Sequence, residues 1–120
     1  MDTLEAKKAQ RFLFMKLLHE KTHGNQYEYI DMWELGKELK FTEDQTQLIV
    51  QYLGGEDLVD QKVGGAIGIT HYGVVQVEAA LSKPDKPTQY FPPVNIIHIE
   101  HMSQSVIQQG TYGSSAKVTL

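Results

Sequence analysis

Cysteine is absent from this chain, and so is any long apolar run. Without a thiol the chain forms no disulfide and has no cysteine nucleophile or thiolate zinc site, as is usual for proteins of a reducing cytosol. No stretch approaches the roughly 20 apolar residues of a membrane span. The acidic start, Met1-Asp2-Thr3-Leu4-Glu5, is unlike a signal peptide. We therefore expect a cytoplasmic protein with no membrane partner.

Positive charge is scarce as well. The 120 residues carry a net charge of −4, so no global positive field draws the chain to nucleic acid. Apolar residues make up 41% and charged residues 22% of the chain, which is the balance of an ordinary globular domain. Residues 41–60 contain no lysine or arginine and hold these acidic side chains: Glu43, Asp44, Glu56, Asp57 and Asp60.

Proline is confined to the segment 83–93, which predicts a stiff, extended linker after a domain at residues 1–82. The apolar stretches at 94–99 and 105–109 predict a β-hairpin arm within residues 94–120, followed by a flexible end. Because a lone hairpin is marginally stable in water, the arm is expected to dock on the first domain or on a second subunit. We favour the second subunit, which makes the chain a homodimer.

Four helices are predicted in residues 1–82, the first three of them from capping residues. Asp2, Asp31 and Thr42 each stand three residues before a glutamate or glutamine, a pattern in which the side chains satisfy free backbone N–H groups at a helix start. Gly24 ends the first of these helices, since glycine adopts the left-handed conformation at low cost. The fourth helix is expected to follow Thr70.

Apolar spacing assigns the faces of these elements. The first helix is apolar on more than one side, around Phe12, Phe14, Met15 and Leu18, which predicts either core packing or a dimer contact. The third helix is expected to bury one face, formed by Leu48, Ile49, Tyr52 and Leu53.

Two β-rich runs, at 58–63 and 67–70, flank Gly64-Gly65 and predict a hairpin. A short strand is also expected at 27–30. The segments 34–42, 48–59 and 69–78 are similar, in their spacing of apolar and turn residues, to the winged helix-turn-helix family, which has many bacterial members. This resemblance implies an α+β fold over residues 1–82, a winged helix-turn-helix domain to which the C-terminal β-hairpin arm is attached.

The resemblance also implies that the third helix enters the major groove of duplex DNA. Glutamine can bind adenine through two hydrogen bonds, and glutamate can accept one from cytosine. Three lysines would contact phosphates: Lys37, Lys40 and Lys62. The residues expected on the outward side of the third helix are Glu43, Thr46, Gln47, Val50 and Gln51.

The charge pattern weakens this inherited role, because phosphate contacts supply most of the affinity of DNA-binding proteins. We expect a transcription-regulator-like protein that binds DNA weakly. The alternative is a protein-interaction or assembly module that keeps the fold without binding DNA. No nucleophile motif is present, so we expect no enzyme and no cofactor.

One motif suggests a metal. His19-Glu20-Lys21-Thr22-His23 has the H-E-x-x-H spacing in which two histidines bind zinc on a helix. No third ligand follows at an evident spacing, although Glu28 or Asp31 lies within a short distance along the chain. Histidines at a helix end also interact favourably with the helix dipole. We favour this second interpretation and expect no metal site, with zinc at His19 and His23 as the alternative.

Overall fold

A computed structural model describes residues 3–97 of the chain. They form an α+β fold in which helices pack around a small antiparallel sheet. In chain order the elements are α1 (Leu4–Thr22), β1 (Ile30–Asp31), α2 (Met32–Glu38), α3 (Glu43–Gly55), β2 (Val59–Gln61), a 3-10 turn (Val63–Gly65), β3 (Ala66–Ile69) and α4 (His71–Ser82), and residues 94–97 are helical. Within the described part of the chain no helix has both the length and the apolarity that crossing a membrane requires.

Side-chain caps define the helix starts. Thr42 accepts a hydrogen bond from the Gln45 N–H at 3.1 Å, and the Gln45 side chain accepts one from the Thr42 N–H at 2.8 Å. This reciprocal capping box confirms the predicted start of α3. Asp31 also caps α2 as expected. Thr70, to which the sequence pattern had assigned no cap, is the N-cap of α4.

The predicted cap of the first helix is wrong by one residue. Thr3, not Asp2, precedes α1, and the Thr3 hydroxyl accepts a hydrogen bond from the Ala6 N–H at 3.1 Å. Aspartate and threonine are both good caps, so the sequence pattern alone did not distinguish two adjacent candidates.

The hairpin predicted around Gly64-Gly65 is confirmed. Strand β3 lies in the centre of the sheet and pairs with β2 on one side and β1 on the other, so the order is β1-β3-β2. Gly64 and Gly65 have φ angles of 83° and 87°, a region that side chains other than glycine rarely adopt. The strand expected at 27–30 is reduced to Ile30–Asp31.

Helix α1 is the centre of the core. It packs against α2, α3, α4 and β3, and Phe12, Phe14, Met15 and Leu18 are all buried. The apolar sides of α1 are therefore covered within a single chain. Of the two explanations for this wide apolar face, the structure supports core packing.

The buried face of α3 differs from the predicted one. It consists of Thr46, Ile49, Val50 and Leu53, whereas Leu48 is 66% exposed. The prediction that Thr46 and Val50 point outward is therefore wrong. A threonine can occupy this interior position because its hydroxyl donates to the Thr42 carbonyl at 2.9 Å.

Residues 83–93, expected as a linker, pack onto the same core. Tyr90 and Phe91 are buried, and the Phe91 ring meets the Phe12 ring edge-on at a centroid distance of 5.2 Å. The Tyr90 hydroxyl lies 2.9 Å from that of Tyr72 on α4. This segment therefore extends the domain past α4.

The strand predicted at 94–99 is wrong for residues 94–97, which are helical. The Pro93 carbonyl accepts hydrogen bonds from the N–H groups of Ile96 and Ile97, at 3.2 and 3.3 Å. Ile97 is buried in the core, and this burial overrides the β-preference of the local residues. The second predicted strand, at 105–109, lies outside the described residues.

Candidate functional site

A groove lies between helix α3 and the β2–β3 hairpin, and the first two residues of α2 also line it. Its volume is about 230 Å³. Met32, Val50 and Ile67 line it, and all three belong to the buried core. We call this feature the α3–hairpin groove. The apolar side chains of its floor are therefore core residues that reach the groove with little exposed surface.

Trp33 lines the groove beside the hairpin turn. A Cβ atom on Gly65 would lie only 2.8 Å from the Trp33 Nε1, so the indole approaches the turn more closely than any residue other than glycine would allow. The backbone of Trp33 is fixed by the helix cap. The Asp31 carboxylate accepts a hydrogen bond from the Trp33 backbone N–H at 2.8 Å.

Polar side chains form the rim of the groove. Gln47 and Gln51 are exposed and lie one turn apart on α3. Gln61 and Lys62, also exposed, face them from the hairpin. Each glutamine amide offers two donors and one acceptor. The rim can therefore form hydrogen bonds with the edge of a base or with a peptide backbone.

The structure brings together only part of the predicted contact set. Gln47, Gln51 and Lys62 share the groove. Three other predicted contact residues are exposed but do not line it: Lys37, Lys40 and Glu43. Thr46 is 1% exposed and faces the Gly36 backbone of α2, so it cannot contact an external partner in this conformation.

Acidic side chains neutralise two of the lysines that would anchor phosphates. The Lys62 ammonium lies 3.5 Å from the Asp60 carboxylate, and that of Lys37 lies 3.9 Å from Glu34. Both pairs are exposed, so each contributes little to stability. They nevertheless leave the surroundings of α3 with almost no net positive charge.

A hydrogen-bonded pair joins the segment before β1 to the edge of the hairpin. The Tyr29 hydroxyl donates to the Asp60 carboxylate. This bond, assisted by nearby Lys62, holds the pKa of Asp60 below its usual value. The same bond to the carboxylate raises the pKa of Tyr29. Asp60 is therefore ionised at neutral pH, where it balances the charge of Lys62.

The two histidines of the H-E-x-x-H motif lie at the end of α1, away from the groove. His19 Nε2 is 3.3 Å from a carboxylate oxygen of Glu78 on α4. His23 is the C-cap residue, with a left-handed φ of 57°. Across residues 3–97, no three histidine, cysteine or carboxylate side chains gather into a group that could hold a metal ion.

Sequence reasoning did not identify the groove, whose lining brings Trp33 next to Gly65. The missing signal lies in two distant segments, because Trp33 and Gly65 become neighbours only when β1 pairs with β3. Gly64-Gly65 indicated a turn. The number of residues between this turn and Trp33 in the sequence does not reveal that the two are in contact.

No family model, no curated protein and no solved structure matches this chain.

Proposed function

We propose that this chain is a non-enzymatic winged-helix domain that recognises a polypeptide partner through the exposed face of α3 and the α3–hairpin groove. The winged-helix assignment is supported by the element order, in which three helices precede the β2–β3 hairpin, and by the strand order β1-β3-β2. A glycine turn at the hairpin tip would be the wing.

The observation that carries the proposal is the charge of α3. Its exposed side bears Glu43, Asp44, Gln47 and Gln51, and no lysine or arginine occurs anywhere in residues 41–60. Duplex DNA is bound mainly by neutralising phosphates. The two carboxylates also occupy the positive end of the helix dipole, which is where a phosphate would otherwise be attracted.

Exposed apolar residues flank the groove and support a protein partner. Leu48 on α3 is 66% exposed, and Val63 in the hairpin turn is 99% exposed. Apolar residues of this kind next to a polar rim are typical of protein–protein interfaces. They would gain nothing from contact with a phosphate backbone.

Weak binding of duplex DNA is the second candidate. It is favoured by the exposed amides of Gln47 and Gln51, which lie in one groove with Lys62. Side chains that could form hydrogen bonds with base edges therefore share one surface. The cations that would supply affinity are few, and the two ion pairs at Lys37 and Lys62 would have to break.

A salt titration with duplex DNA separates the two candidates. We expect no saturable change in the fluorescence anisotropy of a labelled mixed-sequence duplex, even at about 20 mM salt, where phosphate contacts are strongest. Saturable binding that weakens steeply with salt and is lost in Lys62→Glu would instead establish the DNA candidate.

Photocrosslinking in the producing cells tests the protein partner. A benzophenone amino acid at Leu48 is expected to yield a discrete protein adduct. The same group at Glu20, which is exposed on α1, is the matched control and is expected to yield none. Adducts with nucleic acid at Leu48, or identical adducts at both positions, would contradict the proposal.

The homodimer remains a prediction that rests on the C-terminal residues alone, because α1 is covered within the chain. The cytoplasmic location likewise remains a prediction, based on the cysteine-free composition. Sedimentation of the full chain and of a chain ending at Ile97 would test the homodimer. A monomer in both cases would exclude a dimer held by residues 98–120.

A further inference from the structure

The α3–hairpin groove combines an apolar floor, an amide rim and acidic surroundings. From this combination we infer that it takes one large apolar side chain, aromatic by preference, from a basic segment of the partner polypeptide. This inference rests on the proposed function and names the chemistry of the partner at that same site.

The volume fits one side chain. An apolar cavity of about 150 Å³ holds a benzene ring, whereas pockets for drug-sized ligands begin at roughly 300 Å³. The groove, at about 230 Å³, lies between these values. It is therefore large enough for a phenylalanine or leucine side chain.

The lining has the arrangement of an interface anchor site. Met32, Val50 and Ile67 offer apolar contact at the bottom, and the Trp33 indole forms a side wall. Large side chains buried in such central pockets supply most of the binding energy of many interfaces. An aromatic occupant would also contact Trp33 ring to ring, which adds to the energy gained from burial alone.

The rim suits a peptide backbone. Gln47 and Gln51 on one side and Gln61 on the other present amide groups across the opening. A backbone passing over the groove exposes N–H and C=O groups in alternation, and amide side chains can pair with both. The anchor side chain would then point downward, between α3 and the hairpin.

Charge selects the type of partner. Lys62, the one charged residue of the groove lining, is paired with the Asp60 carboxylate at 3.5 Å. The charge near the opening is therefore set by the carboxylates of Glu43 and Asp44, which lie exposed at the start of α3. A segment with lysine or arginine on either side of the anchor complements these carboxylates. An acidic segment would be repelled by them.

Trp33 is the only tryptophan of the chain, so its fluorescence reports directly on the groove. The probe is a synthetic lysine-rich peptide with one central phenylalanine, and its partner control has alanine at that position. We expect the phenylalanine peptide to shift the Trp33 emission saturably. The alanine peptide is expected to bind at least about tenfold more weakly, as for loss of an interface anchor.

Two variants test the location. Gln51→Phe places a ring of the protein's own at the groove, and Glu20→Phe places the same ring on α1, outside the groove lining. Both positions are exposed, so neither change disturbs the core. The phenylalanine peptide is expected to lose its binding to Gln51→Phe and to keep it with Glu20→Phe.

The outcomes separate this inference from the proposed function. If both peptides bind equally, or if Gln51→Phe has no effect, the groove is not the anchor site, while recognition of a basic polypeptide survives. If neither peptide binds, the inference is wrong. If a duplex or single-stranded oligonucleotide shifts the Trp33 emission and the peptides do not, the proposed function fails as well.

Discussion

Gly36 on α2 faces the buried Thr46 of α3, and its missing side chain sets how closely the two helices approach. A Cβ atom at this position would overlap the Thr46 hydroxyl oxygen and lie 3.1 Å from the Thr46 Cβ. Threonine is branched at Cβ and has few alternative rotamers. Its hydroxyl is also committed to the Thr42 carbonyl, so the contact has little freedom to relax.

We therefore expect Gly36→Ala to lower the free energy of unfolding by about 1–3 kcal/mol, the usual cost of overpacking. The gain in helix propensity, roughly 1 kcal/mol, offsets only part of this cost. Urea denaturation followed by Trp33 fluorescence measures the difference. Gly55→Ala is the matched control, because nothing lies within 4 Å of a Cβ atom at that end of α3, and it is expected to be neutral or stabilising.

At this residue scale the sequence predicted part of the site. Gln47, Gln51 and Lys62 were identified correctly as exposed, because polar side chains on an amphipathic helix and at a hairpin usually face solvent. Thr46 was misassigned. A threonine gives no sign in the sequence of whether its hydroxyl bonds to its own helix and is buried, or bonds to water.

Among the elements, the hairpin is tied to the segment before β1 by the Tyr29–Asp60 hydrogen bond. Strands β1 and β2 do not pair with each other, since β3 lies between them. The tyrosine therefore spans the central strand, and a Cβ atom on Gly68 would lie 3.0 Å from its ring. The bond stabilises the position of the hairpin relative to the helices.

Tyr29→Phe is expected to destabilise the fold at neutral pH, with a difference from wild type that disappears in acid. The pKa of Asp60 is lower in the folded state than in the unfolded state. Its ionised carboxylate therefore stabilises the fold fully at any pH above its unfolded-state pKa. This stabilisation is lost as the pH falls through its folded-state pKa. The raised pKa of Tyr29 extends the contribution up to alkaline pH. Chemical denaturation of both proteins across this range provides the measurement.

Tyr27→Phe is the control for that series. Tyr27 is 81% exposed, and loss of its hydroxyl is expected to leave stability unchanged at every pH. A Tyr29→Phe difference that persists undiminished when Asp60 is protonated would show that the hydrogen bond does not carry the effect.

Elements could be predicted where their signals are local. The capping residues Asp31 and Thr42 and the turn at Gly64-Gly65 act within a few residues, and the structure confirms these three predictions. The phase of α3 and the conformation of residues 94–97 depend on what each segment packs against. Periodicity and β-propensity alone therefore gave the wrong answer for both.

In the molecule as a whole, residues 83–97 complete the domain. Phe91 is 1% exposed and lies against Phe12 of α1, while Tyr90 and Ile97 fill neighbouring positions of the same core. The proline-rich composition suggested an extended spacer. Proline fixes φ and removes a donor, but it does not prevent the intervening aromatic residues from being buried.

Removal of this segment is accordingly expected to unfold the domain. Phe91→Ala should cost about 3–5 kcal/mol, a large part of the roughly 5–15 kcal/mol that stabilises a typical domain. A chain ending at Ser82 loses Tyr90 and Ile97 as well and is expected to show no cooperative thermal transition by circular dichroism. A chain ending at Ile97 should retain it. Tyr27→Ala removes an exposed aromatic side chain and is the control for Phe91→Ala. If the chains ending at Ser82 and at Ile97 were equally stable, residues 83–97 would be dispensable for folding.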